Sequence, residues 1–246
     1  MEEIEIDFRK SPQENASAYY ERAKRAREKA KRLADMIDKG VQPGKAREAE
    51  RKKGGKKKWY EHFRWFYSGS GYLVVAGKNA SQNERIYKSV MKDDDLFLHA
   101  EIVGAPFTVI KKGINADDKT VREAAQFAGS YSRAWKFGYA SVDVYAVGKG
   151  QLTKKASGEY VKKGGVIILG ERKWYRNTPL GLSIGTYGGK PACFPLMCAH
   201  MLKRAANIVP GGREKEDISA EISKVTGLNA DEIMQLLPAG ESDIVE

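Results

Sequence analysis

Two helix-start signals set among short β-rich runs restrict the fold most. Ser81-x-x-Glu84 reads as a capping box that opens a helix through about Met91. Thr120-x-x-Glu123 reads as a second, opening a longer helix that ends near Lys136-Phe137-Gly138, with Val121, Ala124, Ala128, Tyr131 and Trp135 on its apolar face. Around them Phe63–Tyr67, Tyr72–Ala76, Leu96–Ala100, Phe107–Lys111, Val142–Val147 and Val166–Gly170 are rich in β-branched and aromatic residues and read as strands. Ser68-Gly69-Ser70-Gly71 separates the first two as a hairpin turn, and Leu182–Met197, with Gly185, Gly188 and Gly189, reads as strands joined by a tight turn. The order β-β-α-β-β-α-β-β-β predicts an α+β fold, a largely antiparallel sheet with two or three packed helices. Hydrophobic residues make up 41% of the chain, enough for a real core.

Charge divides the sequence further. The 246 residues carry a formal net charge of +11. Residues 1–15 hold a net −3, 16–58 a net +10, 59–209 a net +10 and 210–246 a net −6. We therefore read 1–58 as a basic helical arm and linker, 59–209 as the globular domain and 210–246 as an acidic helical tail. In the arm, Ala16, Tyr19, Ala23, Ala26, Ala30, Leu33 and Ile37 keep heptad spacing over residues 16–39, and Gly54-Gly55 followed by Lys56-Lys57-Lys58 reads as a flexible basic connector. In the tail, Ile218, Ile222 and Val225, then Ile233, Leu236 and Leu237, predict two short helices docked on the core, after a loop at Pro210-Gly211-Gly212. The opening residues Met1–Lys10 are acidic without an apolar stretch, so they do not read as a secretory signal, and no run of about 18 apolar residues is present to span a membrane. A cytoplasmic setting is the expectation. A positive field of this kind attracts polyanions, nucleic acid above all.

Enzymatic signatures are sparse. No glycine-rich phosphate loop follows a strand and opens a helix. Cys193-x4-Cys198 with His200 nearby lies in an apolar stretch and reads as buried thiols rather than as a metal site; neither metal nor cofactor is expected. His99 is the one histidine with a catalytic context, since strand spacing puts Asp95, Phe97, His99 and Glu101 on one face. It lacks a nucleophile and the rest of a constellation, so the chain reads as a non-enzyme. The stronger signal is aromatic residues interleaved with bases in three clusters: Trp59–Tyr67 beside the lysine run, Tyr131–Lys136, and Arg172–Asn177. Aromatic faces stack unpaired bases while Arg and Lys hold phosphates. The expected RNA contacts are Lys56, Lys57, Lys58, Arg64, Arg133, Lys136, Arg172, Lys173 and Arg176.

Spread in order over residues 55–200 stand Lys58-Trp59-Tyr60-Glu61-His62-Phe63-Arg64-Trp65-Phe66; Asn79-Ala80-x-x-Asn83-Glu84; Asp95-Leu96-x-x-His99-Ala100 with Gly104-Ala105-Pro106; Ala124–Trp135, including Tyr131, Ser132 and Trp135; Asp143-Val144-Tyr145; Ser157-Gly158-Glu159-Tyr160; and Gly170–Trp174. Together these motifs resemble the NFACT RNA-binding domain of the RqcH/NEMF ribosome quality control family. The segment Ile6–Tyr20 resembles the start of the family's coiled coil, and Leu236–Gly240 is similar to archaeal tails. The resemblance implies an RNA-binding module of ribosome-associated quality control, with tRNA and the large ribosomal subunit as partners in the rescue of stalled ribosomes. An accessory or catalytic part in tRNA modification is the alternative it implies. The sequence shows no counterpart of the family's amino-terminal NFACT domain and its coiled coil is short, so a separate protein supplying the amino-terminal half is a further expected partner.

Overall fold

The computed structural model describes residues 58–154, 161 and 163–245, together with Asn15, Ala16, Tyr19, Tyr20, Ala23 and Arg27, which are helical. Most of the predicted arm, with Lys56 and Lys57, and the Ser157–Tyr160 motif lie outside the described residues. Met1–Lys56 and Lys57–Glu246 form two separate units, and the second carries the fold described below.

The β-rich runs pair as their alternation demands. Strands β1 (Arg64–Tyr67) and β2 (Leu73–Ala76) form the predicted hairpin, followed by helix α1 (Ala80–Arg85), one π turn at Ile86–Val90, and strands β3 (Leu96–Ala100) and β4 (Thr108–Ile110). Helix α2 (Asp118–Ser130), the short α3 (Arg133–Lys136), β5 (Ser141–Gly148), β6 (Leu152–Thr153), β7 (Ile167–Ile168) and β8 (Lys173–Pro179) come next. The chain then runs through β9 (Leu182–Tyr187), β10 (Lys190–Pro195), β11 (Lys203–Arg213), α4 (Lys215–Thr226), α5 (Ala230–Leu236) and β12 (Ser242–Val245). A six-stranded antiparallel sheet has the order β1-β2-β4-β3-β5-β8, and a four-stranded one β10-β9-β11-β12. The class is α+β, as the sequence order implies. Gly188 and Gly189, both at positive φ (57° and 78°), make the tight turn between β9 and β10.

Period 2 sorts the large sheet's side chains onto two cores. Phe66, Val74, Leu98, Ile110 and Val144 face α2 and the second sheet, meeting Ala124, Phe127, Ile184, Phe194 and Ile208. Val75, Phe97, Val109, Tyr145 and Val147 face the other way and are covered by Tyr60, Phe63, Ile86, Met91 and Leu152. Ile218, Ile222, Ile233 and Leu237 complete the first core, so the two tail helices are docked, as expected. Pro210-Gly211-Gly212, expected as a loop, is instead the far end of β11, where the register against β12 shifts. A bulge tolerates the proline and the glycines there.

The helix starts differ from expectation for one reason. Asn79, two residues before Ser81, caps α1 by accepting from Gln82 N at 3.0 Å, and Asp117 caps α2 by accepting from Thr120 N at 2.6 Å. The glutamates that completed the two boxes reach far along the chain. Glu123 accepts from Gly69 N at 2.9 Å, tying α2 to the β1–β2 hairpin. Glu84 pairs with Lys154, with Lys88 at 2.9 Å, and accepts from Gly164 N at 2.9 Å, which pins both ends of the segment between them. The predicted second helix also breaks at Tyr131, and Ser132 caps a new short one by accepting from Ala134 N at 3.1 Å.

Glu84 carries a pH prediction. Its hydrogen bonds from Lys154, Gly164 and Lys88 hold its carboxyl at about 2, against 4.5 for a free glutamate. A depressed folded value means the stabilisation is full above about 4.5 and is lost as pH falls towards 2. Allowing for solvent at this partly open site, the loss is about 1–2 kcal/mol. Urea unfolding at pH 6 and pH 3 should show this loss in the wild type and a smaller one in Glu84→Gln; equal losses would remove the pin from the account.

Candidate nucleic-acid interface

The third aromatic-basic cluster, Arg172–Asn177, forms an edge strand of the six-stranded sheet. Register across three strands places His99 opposite Tyr145 and Tyr145 opposite Trp174. Their rings run in a row, His99 to Tyr145 at 5.8 Å and Tyr145 to Trp174 at 5.4 Å. Two arginines cap the row. The Arg172 guanidinium lies 4.7 Å from the Tyr145 centroid, and that of Arg176 lies 4.1 Å from the Trp174 ring.

A bulge aims Arg176. The β5–β8 register shifts between Val142 and Val144, so Arg176 and Asn177 together oppose Asp143. Asn177 takes the left-handed conformation (φ 50°), which asparagine tolerates better than most residues. Asp143 secures both, accepting from Asn177 N at 2.8 Å and from Arg176 at 2.5 Å. These bonds hold the Asp143 carboxyl below its usual range. Glu101 sits 3.5 Å from Arg172, and its backbone N–H donates to the Asp143 carbonyl at 2.8 Å.

The loop after β3 joins this cluster to part of the second. Gly104 (φ 88°) lies so close under Arg133 that a Cβ there would come within 2.8 Å of its Nε. Arg133 and Lys136 are exposed and have no ion-pair partner among the described residues. Val103, one residue before Gly104, is 78% exposed, and Phe137 and Tyr139, which follow the short helix, are 54% and 50% exposed. The loop after β3 thus touches Arg133 through Gly104, while Glu101 at its start faces Arg172. Arginines whose charge is only partly matched by surface carboxylates remain available to phosphate, because exposed ion pairs contribute about 0–1 kcal/mol each.

Other expected contacts lie elsewhere. Lys173 points to the opposite face, 3.4 Å from Asp118. Arg64 is half-buried with its guanidinium 4.3 Å from the Tyr131 centroid and donates to the Gly77 carbonyl at 3.2 Å. Lys58 stands 5.8 Å from the Tyr60 ring, beside the 47% exposed Trp59. Trp65 packs among Tyr60, Tyr67, Tyr187 and Phe194. Trp135 and Tyr131, counted in the second cluster, are buried and dock the tail: the indole N–H donates to the Glu241 carbonyl at 3.0 Å, and the Tyr131 hydroxyl to the Leu236 carbonyl at 2.8 Å. Asn83 accepts from Phe107 N at 3.2 Å. Sequence reasoning listed Asp143 and Tyr145 only as part of a family motif and left Phe137 and Tyr139 unassigned. The cross-strand register shows what the first two touch, and the break after α2 exposes the others.

The catalytic reading of His99 loses its constellation. Asp95 is buried and bound to Lys111, Lys92 N and Lys112 N, while Glu101 faces Arg172. Burial among Phe97, Tyr145 and the nearby Arg172 charge pushes the His99 imidazolium down to about 4, so the ring is neutral at physiological pH. The pH dependence of RNA affinity between about pH 5.5 and 8 at fixed salt should therefore be the same in the wild type and in His99→Ala; a step lost in that variant would assign His99 a direct charge on the ligand. Cys193 and Cys198 are buried thiols pushed up to about 12. Among the described residues no group of three metal-ligating side chains comes together, and no helix is long and apolar enough to cross a membrane.

Comparison with known proteins bears on the family. Residues 62–170 match the model of the NFACT protein RNA binding domain. An archaeal Rqc2 homolog, aRqcH, from Methanocaldococcus jannaschii is 41% identical over 200 residues, 77% of this chain and 30% of the relative. A ribosome quality control complex subunit NEMF homolog from Drosophila melanogaster is 34% identical, covering 74% of this chain and 20% of its own length. Human ribosome quality control complex subunit NEMF is 29% identical over 65% of this chain and 16% of its own. The chain spans less than a third of the length of these relatives. Residues 62–170 therefore belong to the family of NFACT protein RNA binding domains.

Proposed function

We propose that this chain is an RNA-binding module of ribosome-associated quality control, contacting tRNA or large-subunit rRNA in the cytosol. The observation that carries the reading is the arginine-capped ring row His99–Tyr145–Trp174, which ends on the edge strand β8 of the six-stranded sheet. Its chemistry suits unpaired nucleotides, with a base against Trp174 and phosphates on the arginines. The family match, and relatives named as ribosome quality control subunits, support the setting. A role in tRNA modification would need Asp95 free to work with His99, and Asp95 is buried and bound to Lys111.

A filter-binding titration against tRNA and against large-subunit rRNA fragments, across a range of salt, is the test. Affinity should fall with salt by a slope of roughly 0.7 per neutralised phosphate on single strands. No binding at low salt, or binding indifferent to salt, defeats the proposal.

A further inference from the structure

Asp95 belongs to a conspicuous sequence motif, yet it lies beyond the other end of β3 from Glu101 and Arg172. It precedes β3, whereas Glu101 follows it, so Asp95 marks the opposite end of the six-stranded sheet. There the β1–β2 hairpin (Tyr67, Tyr72), the turn before β3 (Lys92, Asp94) and the turn after β4 (Lys111, Lys112) line an open groove of about 540 Å³.

The groove is built on that one carboxylate. Asp95 is fully buried; its Oδ1 accepts from Lys112 N at 2.7 Å, and its Oδ2 accepts from Lys92 N at 2.7 Å and pairs with Lys111. Lys111 also donates to the Val90 carbonyl at 2.7 Å. Lys112 is held in the left-handed region (φ 57°), a conformation a side chain of its kind adopts only where its surroundings enforce it. One buried charge thus fixes the two turns that present Lys92 and Lys112, and Lys111 neutralises it. Both presented lysines are exposed, and their ammonium groups have no partner among the described residues. Asp94 is the remaining charge at the mouth, while Asp93 beside it pairs with Lys149 at 3.1 Å. Two cations against one anion therefore stand opposite a tyrosine wall in which the Tyr67 ring is stacked on Tyr187, 6.0 Å between centroids.

We propose that this groove holds an unpaired nucleotide of a bound RNA strand, its base against the Tyr67–Tyr72 wall and its phosphates between Lys92 and Lys112. The inference rests on the RNA-binding reading above and extends it to a second contact. Trp174 lies on the edge strand β8 and Tyr67 on the opposite edge strand β1, five strand spacings away, so at roughly 4.8 Å per spacing the two sites stand about 24 Å apart across the sheet. One extended strand reaches both, and a di- or trinucleotide does not. Lysine ammonium groups and tyrosine rings are the pairing that single-strand binding surfaces use.

The experiment compares the full chain with Lys92→Glu/Lys112→Glu and with Arg172→Glu/Arg176→Glu. Each is titrated by fluorescence anisotropy with labelled oligouridylates, short and long, and the wild type is crosslinked to 4-thiouridine RNA. Asp95 binds the backbone N–H groups of both lysines, so the lysine variant should melt with the wild type, and Lys92→Ala/Lys112→Ala provides a milder version. The expected result is about tenfold weaker binding of the long oligomer by the lysine variant, a salt slope lower by about 0.7–1.4, and crosslinks at Tyr67 or Tyr72. Loss in the arginine variant alone overturns the groove and leaves the Trp174 surface standing. Loss in the lysine variant alone upholds the groove and removes the Trp174 surface. Loss in neither overturns both.

Discussion

Reversing Arg172 and Arg176 together to glutamate is expected to weaken RNA binding by about two orders of magnitude at moderate salt. Each arginine covers a ring of the row, so the change removes two phosphate partners and places two repulsive charges where the strand would lie. The same residues contribute little to folding. Their ion pairs with Glu101 and Asp143 are at the surface, and such pairs stabilise by about 0–1 kcal/mol. The variant should therefore lose affinity with almost no change in melting temperature, and its salt slope should fall by about 1.4, two contacts at roughly 0.7 each. Anisotropy titrations over several salt concentrations, with a melting curve beside them, separate the outcomes. Unchanged affinity and slope would move the interface away from β8. Matched losses of affinity and stability would mean that the arginines hold the fold.

Much of this architecture could be read from sequence, and the failures share one cause. Alternation found β1 to β5, because each strand has a face against a core and hydrophobic periodicity is local. It missed Lys173–Pro179 as a strand: on an edge with a bulge, the residues Lys-Trp-Tyr-Arg-Asn-Thr-Pro do not alternate cleanly, and the proline is tolerable only there. The capping boxes pointed to the right helices at the wrong residues. Glu84 and Glu123 had the right spacing, but their partners, Gly164 and Gly69, lie 80 and 54 residues away in the chain. The same limit applies to the site. Interleaved aromatics and basic residues singled out Arg172, Trp174 and Arg176, which the structure sets side by side. The identical composition around Tyr131 and Trp135 encodes a docking site for the tail, because a buried indole N–H needs a partner and Ser242, 107 residues on, supplies one. Composition distinguishes neither case; long-range partners do.

Asp95→Ala is expected to destabilise the domain by about 3–5 kcal/mol, the cost of leaving a charge without its buried partner. The argument starts from the environment of Lys111. Its ammonium is largely buried, with Asp95 and the Val90 carbonyl as its partners, and removal of the carboxylate leaves the charge to a single carbonyl. Two backbone N–H groups, of Lys92 and Lys112, lose their acceptor at the same time, and the left-handed Lys112 loses the bond that enforces it. For a domain of this size the fall corresponds to roughly 6–20 °C in melting temperature. Asp95→Ala/Lys111→Met should recover part of the loss, since an apolar replacement of both partners removes the stranded charge while the two N–H groups stay unsatisfied. His99→Ala makes the decisive contrast. If Asp95 served His99 in catalysis, the two variants would share a phenotype in turnover and leave stability nearly alone. If Asp95 is the keystone of two turns, its loss lowers the melting temperature sharply, whereas His99→Ala vacates one half-buried ring and costs less. Calorimetric scans of the three variants decide between them: a wild-type melting temperature for Asp95→Ala would return the aspartate to the catalytic reading.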